Sequence, residues 1–472
     1  MSHCAIVPPH LLDALAASGD PELAARARHV RAVDADLRRA RRTRGALPDE
    51  GATPAAPGVG GARSVHDAKG EQQLPGDLVR GEGDPATGDA AVDEAYGGLG
   101  ATRDFWRTVY GRDSLDGRGM GLVGTVHYGQ QYDNAFWDGS QMVFGDGDGV
   151  IFTRFTASLD VIGHELAHGV TELTSGLVYQ GQSGALNEHV SDVFGVLVKQ
   201  RHLGQDADAA DWLVGADLLA PGVQGRALRS MSEPGTAYDD PRMGKDPQPG
   251  HMDDFVVTSA DNGGVHINSG IPNRAFYLLA TALGGPAWER AGQIWVDTIL
   301  GDIRADCDFA RFAALTVVAA LARYDDEVAA QVLAAWQGVG VVPAEGESPQ
   351  GSSDASAGEP QPAPTHTTGS RSPGRGVAGL VRRRTVTLGE PADDDRTALA
   401  SLLTDPDLAA YAAAEPSRPD AFCYGLSCDQ PPLDVQVPEP VLPPPTRALL
   451  DRTIAAGGPQ AEPPAEPGAG QS

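Results

Sequence analysis

The chain has 472 residues and a net charge of −28, which argues against a nucleic acid as partner. Hydrophobic residues make up 41%, enough for a large core, and no run of about eighteen apolar residues predicts a membrane span. The length allows about two to three domains, and four cysteines do not indicate a disulfide framework.

The N-terminal fifty residues predict a helical unit followed by a linker. Leu and Ala recur at helical spacing within residues 1–45, and this stretch ends in a basic run. Residues 51–62 are rich in Gly, Ala and Pro, so we expect a cleavable linker after a unit spanning residues 1–50. A basic region followed by an apolar run is not seen at Met1, so no secretory signal peptide of the usual kind is predicted.

The middle of the chain predicts an α+β fold of two lobes. Residues 63–160 carry short alternating runs and many Gly turns, which favour a β-rich lobe. Residues 161–342 carry long apolar runs at helical spacing, which favour a mainly helical lobe. A site at the junction of the two lobes is expected, because clefts between lobes commonly bind ligands.

The C-terminal part predicts a separate small α+β domain. We expect a disordered linker rich in Pro, Ser, Gly and Glu at residues 343–373, the domain at 374–457 and a disordered tail at 458–472. Within the domain we expect two strand regions and two helices, at 376–388, 420–426, 397–403 and 446–454.

The stretch His164-Glu165-Leu166-Ala167-His168 predicts a metal site. Two imidazoles four residues apart on a helix point the same way, since about 3.6 residues make one turn, and both can reach one ion. This is the H-E-x-x-H pattern of zinc hydrolases, with Glu165 as the base. The pentapeptide alone also fits an amphipathic helix with two ordinary histidines, so a third ligand decides.

A second helical run supplies that ligand. Ser183 is its expected N-cap, and Glu188 lies twenty residues after His168, far enough for a loop to return its carboxylate to the metal. Two His and one Glu leave a fourth position for water, as a catalytic zinc requires; thermolysin is the standard example. Asp192, four residues after Glu188, is expected to hold a ligand histidine, whereas His189 points about 100° away and is expected to pack elsewhere or face solvent.

Five longer stretches resemble the thermolysin family, in particular its protealysin-like branch. They follow the family's order over about residues 65–342: 134–149, 164–168, 184–195, 228–232 and 261–270. The resemblance implies a thermolysin-like two-lobed protease with one catalytic Zn²⁺ bound by His164, His168 and Glu188, and Glu165 as general base.

The resemblance also implies roles for residues around the metal. His266 matches the family's proton or hydrogen-bond donor, Asp261 the acid that orients it, and Tyr179 a phenol that helps hold the oxyanion. Asn187 joins Asp192 as an expected partner of the ligand histidines. Residues matching the substrate-backbone contacts are Asn134, Ala135 and Arg229.

The primary specificity pocket of the family falls on apolar residues of this chain. These are Phe152, Phe155, Val161, Val214 and Leu228. The resemblance therefore implies cleavage on the amino side of hydrophobic residues.

At the position of the family's double calcium site, this chain departs from the family's pattern. Asp160 and Asp211 remain, but Lys199, Leu213 and Ala216 stand where acidic ligands would be, and Arg226 replaces another acid nearby. Calcium needs about six to eight oxygens, so we expect weak or no binding.

Both ends of the chain resemble inhibitory segments. The run from Val7 to Leu12 is similar to the short propeptide of protealysin-like precursors, and Cys4 could provide a thiolate that covers the zinc, against the alternative of a buried apolar thiol. Residues 374–457 resemble emfourin, the small protein inhibitor of protealysin-like enzymes, with an unrelated binding module as the alternative.

We therefore expect a zinc-dependent neutral metalloendopeptidase made as a precursor that is restrained in cis by its propeptide and C-terminal domain. Its partners would be protein or peptide substrates, and it would act as a monomer. Synthesis in the cytoplasm and release by a non-classical route are expected from the family. The alternative is a catalytically silent protein that binds and regulates a protease; a missing ligand or base would favour it, and none is missing.

Overall fold

The computed structural model describes residues 5–45 and 62–344, and four strands at 367–372, 382–386, 423–428 and 433–438. It divides into two units, residues 1–351 and 352–472. The helices of the first unit are α1 (Pro9–Ala16), α2 (Pro21–Gly45), α3 (Ala90–Tyr110), α4 (Leu159–Leu173), α5 (Gly181–Leu203), α6 (Asp261–Asn268), α7 (Gly270–Leu283), α8 (Ala291–Leu300), α9 (Phe309–Arg323) and α10 (Asp326–Gln337). No helix among the described residues is long and apolar enough to cross a membrane.

A five-stranded mixed sheet forms the first lobe. Its strands are β1 (Arg63–Asp67), β2 (Asp77–Arg80), β3 (Leu122–Val126), β4 (Ala135–Trp137) and β5 (Met142–Phe144). The order is β2-β1-β3-β5-β4, so β4 lies at one edge. Strands β1, β3 and β5 run parallel, and β4 pairs antiparallel with β5.

Helix α3 is a long helix inside the lobe for which the sequence favoured strands. Asp89 caps it by accepting from the N–H groups of Ala91 and Val92. Its glycines lower helix propensity, but Gly98 allows close packing on α4: an added Cβ would lie 2.3 Å from Ile162 Cδ1, and that side chain would have to move. The β-rich description of residues 63–160 is therefore incomplete.

Helices α4 and α5 meet at two glycines in the helical lobe. An added Cβ at Gly163 would lie 3.0 Å from Gly195 Cα, and one at Gly195 would lie 2.3 Å from the Asp160 carbonyl oxygen. This close approach brings the helix faces that carry His164 and Glu188 against each other. Two-residue strands β6 (Leu213–Val214), β7 (Arg229–Ser230), β8 (Asp239–Asp240) and β9 (Gly244–Lys245) form two small ladders in the same lobe.

The start of α5 differs from the sequence prediction. The helix begins at Gly181 with Gln180 at the N-cap position, so the assignment of Ser183 as the cap is wrong. Ser183 Oγ instead donates to the carbonyls of Val178 and Gln180, at 2.7 and 2.9 Å. Gly181 permits the earlier start because its φ of 56° is left-handed.

The second unit contains an antiparallel sheet. Its strands are β10 (Thr367–Ser372), β11 (Arg382–Val386), β12 (Cys423–Cys428) and β13 (Leu433–Pro438), in the order β11-β10-β12-β13. Strand β10 falls within residues 343–373, so the disordered-linker prediction is wrong for these six residues, whose backbone pairs with both neighbours. The helices expected at 397–403 and 446–454 lie outside the described residues.

Candidate active site

Three side chains converge where α4 and α5 cross. His164 and His168 lie on α4 and Glu188 on α5, and their ligand atoms all lie within 4.8 Å of one another. The two Nε2 atoms are 3.1 Å apart, and Glu188 oxygens lie 3.6 and 3.7 Å from them. Two ligands of one tetrahedral zinc, each about 2.0–2.2 Å from it, are separated by about 3.3–3.6 Å. The donor set and its spacing therefore fit zinc.

The other ring nitrogens of these histidines are fixed by hydrogen bonds. His164 Nδ1 lies 2.9 Å from Asp192 Oδ1, and His168 Nδ1 lies 2.7 Å from Asn187 Oδ1. Burial, partly opposed by Glu188, lowers the pKa of His168 to about 3, which keeps its imidazole neutral and able to ligate a cation. The structure thus brings both predicted partners to the ligands.

Glu165 is buried beside the three ligands. The Trp137 N–H at the end of β4 donates to its Oε2 at 3.1 Å, and its Oε1 has no hydrogen-bond partner within the described part of the chain. Burial, with the nearby Glu188 charge, raises the pKa of this carboxyl well above its usual value. A fixed carboxylate with raised proton affinity and one free oxygen can serve as a general base.

A kink in α6 directs His266 toward the ligand cluster, with its Nε2 3.4 Å from Glu188 Oε1. Residues 261–264 all have positive φ, which the two glycines Gly263 and Gly264 adopt without strain. Asp261 accepts from the His266 N–H at 2.9 Å and lies 2.7 Å from its Nδ1. His266 is buried.

His266 and Tyr179 both lie against Glu188. The Tyr179 hydroxyl donates to Glu188 and lies 3.1 Å from His266 Nε2. Burial lowers the pKa of His266, but Asp261 and Glu188 outweigh it and raise the value above its usual one. The raised pKa favours the protonated form of His266, which would be a second donor beside the Tyr179 phenol.

His189, next to Glu188, packs away from the site as the sequence predicted. It is fully buried, its Nδ1 lies 2.8 Å from Asn273 Oδ1, and Trp295 Nε1 donates to its Nε2 at 2.7 Å. Burial lowers its pKa to about 4, so it is neutral in the core.

The N-terminal segment (residues 5–45) lies on the residues expected to hold a substrate backbone. The Ile6 N–H donates to the Ala135 carbonyl at 3.1 Å, and the Val7 N–H donates to Asn134 Oδ1 at 2.9 Å. Arg229 Nη1 donates to the Ile6 carbonyl at 3.4 Å. Both Ile6 and Val7 are buried.

Helix α2 adds anchors that the sequence analysis missed. Arg26 binds Asp133 through two nitrogens, at 2.5 and 2.6 Å, and donates to the Gly147 carbonyl at 2.8 Å. Asp34, a buried carboxylate, accepts from the Tyr132 hydroxyl at 2.7 Å and from Asn134 Nδ2 at 3.1 Å. Asp34 is one of three acids in this largely basic helix, with Glu22 and Asp36, so no local sequence signal singled it out.

The residues of the predicted specificity pocket are all buried, and Val214 pairs with Arg229 between β6 and β7. Phe152 and Phe155 lie with ring centroids 5.6 Å apart, and the Leu228 N–H donates to the Val214 carbonyl at 3.0 Å. Val161 is buried on α4. Cys4 lies outside the described residues, so the thiolate cover stays a prediction.

The ammonium group of Lys199, on α5, is surrounded by oxygen atoms. Its Nζ lies 2.9 Å from Asp160 Oδ2 and 3.0 Å from Asp211 Oδ1, and donates to the Leu213 carbonyl at 2.7 Å. Burial lowers the pKa of this ammonium, but Asp160 and Asp211 outweigh it, and the net shift is upward.

Comparison with known proteins extends over both units. The family model described as thermolysin metallopeptidase, catalytic domain, matches residues 61–172, and the one described as thermolysin metallopeptidase, alpha-helical domain, matches residues 175–341. A third family model, Emfourin, matches residues 374–454.

Individual relatives agree with these matches. The chain is 53% identical over 343 residues to an extracellular metalloprotease of Pectobacterium carotovorum subsp. carotovorum, covering 72% of this chain and 96% of that protein. It is 58% identical over 282 residues to protease PrtS of Photorhabdus sp. (strain Az29), covering 59% and 76%. The solved precursor of protealysin from Serratia proteamaculans is similar with a TM-score of 0.65 and 52% identity, covering 72% of this chain and all of that one.

Proposed function

Because this chain belongs to the thermolysin family of metallopeptidases, we propose that it is a zinc-dependent neutral endopeptidase, made as a latent precursor, that cleaves on the amino side of hydrophobic residues. One observation carries the proposal most. A peptide segment of the chain itself is bound through Ala135, Asn134 and Arg229, beside Glu165 and the three predicted ligands.

His164, His168 and Glu188 would hold the zinc, which when bound polarises the scissile carbonyl and makes a water acidic enough to attack it near neutral pH. Glu165 takes the proton of the attacking water on its free Oε1 while the Trp137 N–H holds Oε2 in place. The same carboxyl then passes the proton to the departing amine, and its raised pKa makes it able to carry the proton between the two steps.

Negative charge that develops on the carbonyl oxygen needs donors directed at it. The Tyr179 hydroxyl and the His266 imidazolium meet at 3.1 Å and provide two such donors. Asp261 keeps His266 oriented and charged, so its role is to position the donor.

Specificity for a hydrophobic residue after the cleaved bond is supported by two features. The pocket residues Phe152, Phe155, Val161, Val214 and Leu228 are all apolar and buried. The bound segment presents Ile6 at the position next to Arg229. Mass-spectrometric mapping of cuts in a mixed peptide library tests this: we expect Leu, Ile, Phe or Val after the bond, and acidic residues there would refute it.

Latency is supported by burial of Ile6 and Val7 on the substrate-binding residues and by the Emfourin match. The test compares zinc content and casein cleavage for the full-length chain and a form ending near residue 345. If the zinc-loaded short form cleaves nothing, the peptidase proposal fails. If removal of the C-terminal unit does not raise activity, its inhibitory role is refuted while the peptidase stands.

A catalytically silent regulator is the second candidate. Its sequence signature would be a lost ligand or base, whereas His164, His168, Glu188 and Glu165 are all in place. Turnover of any peptide by the zinc-loaded enzyme would exclude it.

Three further properties complete the proposal. The Lys199 ammonium, with its three oxygen partners, leaves no demand for calcium beside α4, so added Ca²⁺ should not raise the Tm above that in EGTA. We propose that the protein is a monomer, which sedimentation would check.

We also propose that the protein is released by a route that needs no usual signal peptide. Comparing culture medium with cells on an immunoblot tests this.

A further inference from the structure

The N-terminal segment follows the edge strand β4 with a defined polarity. Ile6 pairs with Ala135 through its N–H, and Val7 pairs with Asn134, the residue just before β4. The residue numbers of the N-terminal segment rise as those of β4 fall, so the segment and the strand run antiparallel. The chain preceding Ile6 therefore leads toward Trp137, whose N–H holds Glu165.

Ile6 is also held by Arg229, which connects it to the metal ligands. Arg229 donates from Nη1 to the Ile6 carbonyl, while its Nη2 and Nε donate to Asp192 at 2.7 and 2.9 Å. Asp192 in turn holds His164. The peptide bond next to Ile6 on the side of Glu165 is the Ala5–Ile6 bond, and Ala5 is only 2% exposed.

Resting on the proposed peptidase function, we propose that the Ala5–Ile6 bond is a cleavage site of the enzyme in its own precursor. Ile6 is the hydrophobic residue on the carboxyl side of that bond, and its N–H already points at the Ala135 carbonyl. The reaction consumes one water. Its oxygen bonds to the Ala5 carbonyl carbon, the bond to the Ile6 nitrogen breaks, and Glu165 transfers a water proton to that nitrogen, leaving a carboxylic acid on Ala5 and an amine on Ile6, which then ionise to carboxylate and ammonium.

This cut alone does not release the segment. The contacts of Val7 with Asn134, Arg26 with Asp133 and Asp34 with Tyr132 all lie beyond the cleaved bond and remain. Residues 1–5, with Cys4, leave, while residues 6–45 stay attached through the chain. We expect a nicked but still latent intermediate, followed by a separate cut after residue 45.

The zinc-loaded full-length chain and a matched Glu165→Gln chain test the proposal. Intact-mass analysis over time should show a chain beginning at Ile6 before any chain beginning beyond residue 45, and only with Glu165 present. Casein cleavage is measured on the same samples. If casein is cut while released N-terminal fragments keep the Ala5–Ile6 bond, this proposal is overturned and the peptidase stands. If neither is cut, self-cleavage at Ala5–Ile6 is refuted, and casein cleavage by the form ending near residue 345 decides separately whether the peptidase stands.

Two variants and a dilution series sharpen the test. Ile6→Pro removes the N–H that Ala135 accepts and should abolish the chain beginning at Ile6, whereas the control Val7→Ala should retain it. Cutting within the same molecule predicts an unchanged half-life over an about tenfold dilution. If the half-life of the uncut precursor lengthens with dilution, a second molecule makes the cut. That result would refute cleavage of the Ala5–Ile6 bond by the active site of the same molecule.

Discussion

At the scale of single residues, the site depends on buried charges that hold one another in place. Asp192 contacts His164, Arg229 and Asn273, so one carboxylate orients a metal ligand and a substrate-binding guanidinium together. The spacing of His164, His168, Glu188 and Asp192 on two helices was enough to predict this group, because helical periodicity fixes which residues share a face.

Replacing Glu165 by Gln should lower kcat by at least about 10²–10⁴-fold, because the amide cannot accept the proton of the attacking water. Zinc content should stay near one per chain, since the ligands are untouched. Metal analysis beside casein kinetics checks both. Retained activity with retained zinc would exclude Glu165 as the base.

The pH dependence of kcat/KM should reflect His266. Its pKa is raised, so the charged donor is present below that pKa and is lost as the pH rises through it. Asp261→Asn removes the main charge that raises the value, so the alkaline limb should move to lower pH and kcat/KM at neutral pH should fall. An unshifted alkaline limb in this variant would show that another group sets it.

At the scale of elements, several features were beyond prediction because packing overrides local preference. The glycines of α3 argued against a helix, yet Gly98 lets α3 pack closely against Ile162 of α4. The left-handed backbone at residues 261–264 aims His266, and no helix or strand period encodes it. The role of Asp34 depends on a contact across about one hundred residues, which no local pattern encodes.

Gly195→Ala should destabilise the junction of α4 and α5 by about 1–3 kcal/mol, because the new Cβ would lie 2.3 Å from the Asp160 carbonyl oxygen. Zinc affinity should fall too, since the ligands lie on both helices. Gly97→Ala is the matched control: it is exposed in α3 with nothing within 4 Å, and should stabilise by about 0.5–1 kcal/mol. Urea unfolding of both variants measures the difference; equal stability would contradict the close packing.

At the scale of the whole molecule, His10 makes docking of the N-terminal segment sensitive to pH. Its Nε2 lies 3.3 Å from the Tyr238 hydroxyl, and its buried Nδ1 has no partner among the described residues. Burial, then His266 and Arg229, lower its pKa to about 4 against the opposing effect of Asp261. The docked form therefore binds the proton more weakly than the released form, whose pKa is about 6.5. Docking is strongest above that value and weakens as the pH falls toward 4.

The later cut beyond residue 45 should accelerate in the wild-type precursor, relative to His10→Gln, as the pH falls from 7 to 5, by at most about 30-fold at pH 5. Both chains share the same catalytic residues, so their ratio cancels the pH dependence of catalysis. Gel densitometry of processed chain at each pH measures it. A ratio that is flat with pH would exclude His10 as the sensor.

Strand β4 is an edge whose only described main-chain partner besides β5 is Ile6. A substrate residue that takes the place of Ile6 must be extended and must offer a backbone N–H that makes no other hydrogen bond. Inside a helix or a paired strand, that N–H is already hydrogen-bonded. The enzyme should therefore sense the folding state of its target. A stable globular protein would be cut only as fast as a segment opens locally, whereas a misfolded or nascent chain with the same sequence would be degraded at once.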